Sequence, residues 1–121
     1  MDQPSTVQFT PEEADAKNKQ FIIRCFEILL KRMFPFANDV AVKDTAAIAE
    51  QAMTETPIIS LHKGLYVKIS ELCPEDVSPK MVMNTLAQFS SNIIGAMVHK
   101  GVEIVEGSFT GDAFFEMYCP S

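Results

Sequence analysis

Residues 58–70, IISLHKGLYVKIS, decide the fold class. In the last six residues, LYVKIS, the apolar Leu65, Val67 and Ile69 alternate with Tyr66, Lys68 and Ser70. This alternation is typical of a strand with one buried face. Residues 58–61 form a short apolar run, and the intervening His62-Lys63-Gly64 has the composition of a turn. The stretch therefore predicts a β-hairpin.

The C-terminal segment predicts a second hairpin. One strand is expected from Val102 to about Phe109 and the other from Ala113 to Tyr118, with Thr110-Gly111-Asp112 as the turn. A second copy of His-Lys-Gly, at 99–101, precedes this hairpin just as the first copy precedes the strand at 65–70.

Three helices are predicted around these hairpins. The first starts at Thr10-Pro11-Glu12-Glu13, which combines a capping box with proline at the first helical position, and it ends at about Phe34. The second is expected from Thr45 to Thr54, capped by Asp44. The third starts at Ser78-Pro79 and ends near His99-Lys100, with Gly101 as a left-handed stop.

The order α-α-β-β-α-β-β predicts an α+β fold, in which about three helices pack on an antiparallel four-stranded sheet made of the two hairpins. A chain of 121 residues is long enough for one hydrophobic core. We therefore expect a flexible N-terminal arm at residues 1–9 and a single domain at 10–121.

The charge of the chain is negative and unevenly placed. There are 16 acidic and 10 basic residues, and all of the basic residues lie between positions 17 and 100. A dense basic surface is missing, so neither nucleic acid nor an anionic membrane is a predicted partner. No apolar run is long enough for a membrane span. The acidic ends could instead attract a basic partner or imitate the charge of nucleic acid.

The cysteines and other reactive groups predict no chemistry. Cys25, Cys73 and Cys119 are odd in number and lack metal-binding spacing, and the polar first residues do not resemble a secretory signal. This pattern favours reduced cysteines and a cytoplasmic, intracellular location. No glycine-rich phosphate loop or calcium loop occurs, so no catalytic residue, metal or cofactor is predicted. A small acidic domain of this kind is also compatible with a viral or mobile-element origin.

The apolar residues predict an interface. Phe114 and Phe115 are adjacent on a predicted strand, so one of them should point away from the core. Residues 81–98 carry no charge, and small side chains recur there at every fourth position, which would let another backbone approach closely. We expect this small-residue strip to be buried, either between subunits or in the monomer core. The interface candidates are Phe34, Phe36, Ala87, Ser91, Gly95, Phe114 and Phe115.

These features predict a small acidic protein-binding module: an adaptor, a structural subunit or an inhibitor that masks its target. It would act through a Phe- and Met-rich interface and form a homo-oligomer. The alternative is a small oligomeric enzyme or ligand-binding module, with a site between subunits near His62, Tyr66 and His99. A second alternative is an acidic mimic of nucleic acid.

Overall fold

The computed structural model describes residues 9–118, and over this range the chain is helical and contains no strand. The predicted α+β class, with its four-stranded antiparallel sheet, is therefore wrong. Residues 1–8 of the predicted N-terminal arm and Cys119 lie outside the described residues. The helices are α1 (Pro11–Met33), α2 (Asp39–Glu55), a 3-10 helix (Ile59–Leu61), α3 (Lys63–Leu72), α4 (Pro79–Glu106) and α5 (Gly111–Tyr118).

The first predicted hairpin is instead the 3-10 helix followed by α3. His62 caps α3, because its ring Nδ1 accepts a hydrogen bond from the Leu65 amide at 3.0 Å. Leu65 and Ile69 are fully buried, whereas Val67 is 57% exposed. Residues four apart share a helix face, so the same six letters satisfy a helical pattern as well as an alternating one. The His62 cap and the burial of Leu65 and Ile69 are both consistent with the helix.

The second predicted hairpin is also helical. α4 continues through Gly101, with a kink at Lys100 (φ −122°, ψ 22°), and it ends at Gly107, which has the left-handed φ of 91°. Gly107 is thus the stop that sequence reasoning assigned to Gly101. Thr110 begins α5 rather than a turn, because its hydroxyl Oγ1 accepts a hydrogen bond from the Ala113 amide at 3.2 Å.

The starts of α1 and α4 are confirmed. Thr10 forms a capping box with Glu13, and Ser78 caps α4 through the Met81 amide. α2 starts at Asp39, well before the predicted Thr45. Asn38 caps it, because its Oδ1 accepts a hydrogen bond from the Val40 amide at 2.7 Å.

The aromatic part of the core lies where α1, α4 and α5 meet. Phe89 of α4 is at its centre, with ring centroids 5.8 Å from Phe26, 5.4 Å from Phe114 and 5.7 Å from Phe115. Such ring pairs add stability beyond the apolar area that they bury. α1 also packs on α2, and α3 packs against α2 and α4. No helix within residues 9–118 is long and apolar enough to cross a membrane.

Candidate interaction surface

The predicted interface phenylalanines fall into two groups. Phe34, Phe114 and Phe115 are buried, at 3%, 0% and 4% exposure, whereas Phe36 is 89% exposed. The expectation that one member of the Phe114–Phe115 pair points outward depended on a strand. On a helix, adjacent residues are about 100° apart, so both can reach one core.

α5 is held on α1 by several contacts at once. Arg24 donates two hydrogen bonds to the Asp112 carboxylate, Nε to Oδ1 at 2.9 Å and Nη2 to Oδ2 at 3.0 Å, and this fork lowers the pKa of Asp112. The Arg32 guanidinium lies 4.6 Å from the centroid of the Phe115 ring. The backbones approach so closely that a Cβ on Gly111 would lie 3.1 Å from the Cys25 amide nitrogen. The phenylalanine pair is therefore covered within the monomer.

The small-residue strip faces outward. Ser91 is exposed, Ala87 and Gly95 are half-buried, and a Cβ added at Gly95 would meet nothing within 4 Å. Ala87 packs against the core, so the strip is only partly buried within the monomer. A contact of the strip with another subunit stays a prediction.

The residues near the two His-Lys-Gly segments are not brought together. His62 is used by the fold, since its Nε2 lies 2.9 Å from Glu55 Oε1 while its Nδ1 caps α3. Hydrogen bonds from Gln51 and His62 lower the pKa of Glu55. Tyr66 shares a cleft with Met83 near the start of α4. His99 follows Met83 by sixteen residues of α4, or about 24 Å.

Metal binding finds no support in this part of the chain. No group of three or more His, Cys, Asp or Glu side chains within residues 9–118 could hold a metal ion.

An exposed apolar line on α4 is the surface that sequence reasoning missed. Ile94, Val98 and Val102 are 52%, 74% and 69% exposed and recur at every fourth position of α4, with Val102 two residues beyond the kink at Lys100. We call these three residues the α4 stripe. The spacing is visible in the sequence, but the strand predicted to start at Val102 interrupts the helical pattern.

The α4 stripe continues into a cleft between the start of α1 and the end of α4. This terminal cleft has a volume of about 300 Å³ and is lined by Phe9, Ala14, Gly101, Val102, Val105 and Glu106. Val102 belongs to both features, so the stripe and the cleft form one continuous surface.

The terminal cleft has one carboxylate in its wall, and more acidic than basic residues lie near it in the chain. Glu106 is in its wall, and Glu13 and Asp15 flank Ala14 in the chain. α4 has no basic residue in its last turn, although the end of a helix carries a partial negative charge that lysine or arginine normally offsets. The cleft is thus a partly apolar depression with one carboxylate in its wall, and Lys17, one turn after Ala14, lines the neighbouring depression with Gly107.

In comparisons with protein-family models, with curated proteins and with solved structures, nothing matches this chain. The function is therefore inferred from the surface of the chain alone.

Proposed function

We propose that the chain is a protein-binding module and that the α4 stripe with the terminal cleft is its binding surface. The observation that carries the proposal is the line of Ile94, Val98 and Val102, each more than half exposed, leading into a partly apolar cleft. Single exposed apolar residues are normal on a protein surface, but a contiguous patch of them marks an interaction site. Grooves of this kind accept apolar side chains of a partner helix.

The two alternatives have less support. An enzyme site near the His-Lys-Gly segments lacks a general base, because both ring nitrogens of His62 are engaged by the fold and His99 lies far along α4. A nucleic-acid mimic needs a continuous uncompensated acidic surface. Four carboxylates are in ion pairs instead, those of Glu27, Asp39, Glu71 and Asp112, and the Glu55 carboxylate accepts hydrogen bonds from Gln51 and His62.

Self-association is a second candidate, favoured by the small-residue strip. Near the axis of a two-fold dimer, each residue meets its own copy, so a charged residue would face a like charge. Residues 81–98 of α4 carry no charge, and the space beside Gly95 is open. A homodimer could therefore form across this part of α4 without electrostatic repulsion.

The proposal includes an intracellular, cytoplasmic location. It is supported by the odd number of cysteines, and Cys73 is a free thiol in the described part of the chain.

Site-specific photocrosslinking tests the proposed function. A photoreactive benzoylphenylalanine at Val98 should cross-link the chain to a discrete protein in an extract of its source cells. The matched control is the same probe at Val67, which is 57% exposed on α3. Val102→Ser should reduce the cross-link at Val98, because it removes a neighbouring apolar contact. Equal cross-linking from both positions, or none from Val98, would contradict the proposal.

The same probe tests the second candidate on the purified chain. A cross-link from Val98 to a second copy, together with a doubled mass by light scattering, would support a homodimer. A single-chain mass with no such cross-link would exclude it.

A further inference from the structure

We infer that the partner at the terminal cleft is a basic amphipathic helix, whose apolar side chains lie on the α4 stripe and in the cleft while its Lys and Arg side chains contact the surrounding carboxylates. The inference rests on the proposed function and specifies the chemistry of the partner.

The apolar part of the surface fits one side of a helix. Ile94 and Val102 are eight residues apart on α4, or about 12 Å, and Val105 extends the line into the cleft. A partner helix with apolar side chains at positions i, i+4 and i+7 covers a similar length. The stripe can therefore accept about three anchoring side chains.

The carboxylates near the cleft have no cationic partner within the described residues. Glu12, Glu13 and Asp15 lie in the first turns of α1, and Glu103 and Glu106 lie at the end of α4. None of the five forms an ion pair with a residue of the range 9–118.

The end of α4 is electrostatically unfavourable in the isolated chain. α1 has Lys31 and Arg32 in its last turn, as expected for the negative end of a helix, whereas the last turn of α4 carries acidic side chains and no basic ones. Two lysines lie near this end: Lys100, whose Nζ is 5.7 Å from the centroid of the Phe109 ring, and Lys17, which lines a depression with Gly107 but forms no ion pair with Glu103 or Glu106. An approaching cation would offset both the carboxylates and the helix dipole.

This charge distribution selects a basic partner over a second copy of the chain. A second copy brings the same acidic α1 start and α4 end, and its net charge is −6. Two such ends at one cleft would repel each other, whereas Lys or Arg side chains would be attracted.

Two matched peptides test the inference on the purified full-length chain. Both are about 18 residues long with leucine at the same helical spacing, and their remaining positions are lysine in one and glutamate in the other. Binding of each fluorescein-labelled peptide is measured by fluorescence anisotropy at about 0.05 and about 0.3 M NaCl. We expect only the lysine peptide to bind, with a Kd that rises about tenfold at the higher salt concentration.

Variants locate the binding. The double substitution Val102→Ser and Val105→Ser should raise the Kd of the lysine peptide about tenfold, because the apolar anchors of the peptide lose their contacts. The double substitution Asp15→Asn and Glu106→Gln should raise this Kd about two- to fivefold and make it less dependent on salt concentration. The controls Val67→Ser and Glu116→Gln, on α3 and α5, should leave the Kd unchanged. Circular dichroism of each variant checks that the helices are intact.

Each of the other possible results would overturn a specific part of the inference. If the cleft variants bind the lysine peptide as tightly as the wild type, the peptide binds elsewhere and the inference is wrong. If the glutamate peptide binds equally well, in a manner that depends on Val102, the surface binds helices but the charge argument fails. If neither peptide binds, the inference is wrong, and the Val98 cross-link decides separately whether the proposed function stands. The inference would also be overturned if the wild-type chain were a homodimer and Val102→Ser dissociated it.

Discussion

Gly95 lies in the middle of α4, and its replacement by alanine should stabilise the protein. Glycine in a helix interior costs about 1 kcal/mol relative to alanine. The new Cβ would meet nothing within 4 Å, so no steric cost opposes this gain. With roughly 2.1 cal/mol/K of unfolding entropy per residue over 121 residues, about 1 kcal/mol corresponds to a rise in Tm of about 4 °C.

The same substitution at Gly111 should destabilise the protein. A Cβ there would lie 2.7 Å from Arg24 Cγ and 3.1 Å from the Cys25 amide nitrogen. The Arg24 side chain is held by its fork to Asp112, and the Cys25 amide belongs to the backbone of α1. Overpacking of this kind costs about 1–3 kcal/mol.

Urea unfolding followed by circular dichroism measures both effects in one assay, with Gly95 inside α4 and Gly111 at the first position of α5. A lower unfolding free energy for Gly95→Ala would refute the reasoning, since it would mean that some group packs on Gly95. Repeating the measurement over a range of protein concentrations identifies that group: a loss that grows with concentration indicates another subunit, and a constant loss indicates the monomer core.

Three further predictions concern the core, a cap and an ion pair. Phe114→Ala should cost about 3–5 kcal/mol in urea unfolding, because Phe114 is fully buried between α1 and α4. His62→Ala should cost about 1 kcal/mol and increase amide hydrogen exchange in the first turn of α3, which loses its cap. The Arg24 fork lowers the pKa of Asp112, so its contribution is present at neutral pH and is lost as the pH falls through that lowered pKa. Asp112→Asn should therefore show a smaller decrease in Tm than the wild type between about pH 5 and pH 2.

The helix starts could be predicted because their determinants are local. The Thr10 capping box and the Ser78-Pro79 start of α4 depend on side chains within three residues of the amides that they satisfy. The start of α2 was missed because Asp44 and Asn38 are both competent caps. The structure uses Asn38, whose oxygen lies 2.7 Å from the Val40 nitrogen.

The sheet was predicted wrongly because short apolar runs are ambiguous. Val67 is β-branched and continues the alternation, yet its side chain is more than half exposed and only Leu65 and Ile69 enter the core. Packing on α2 and α4 decides which of these faces is buried, and no single sequence carries that information. Likewise, glycine is typical of the end of a helix, but α4 continues through Gly101 and is capped by Gly107.

The interaction surface could be predicted only in part. The absence of charge in residues 81–98 pointed to α4, but the strip was predicted to be buried, whereas Ser91 is exposed and the space beside Gly95 is open. The terminal cleft could not be predicted, because it requires the start of α1 to lie beside the end of α4, about 90 residues later. Phe114 and Phe115 were misjudged for a related reason, since a helix directs both inward.

The fork between Arg24 and Asp112 joins two residues that are 88 positions apart, and this separation imposes an order on folding. A ribosome makes α1 well before α5, so Phe21 and Phe89 have no Phe114 to pack against until α5 has been made. The contacts of α1 with α2 and α4, among them the Phe26 and Phe89 rings, do not require α5. A ribosome-bound chain that stops before Gly111 would therefore leave the Phe21 and Phe89 rings without the cover of Phe114, and this aromatic surface would be open to aggregation or chaperone binding.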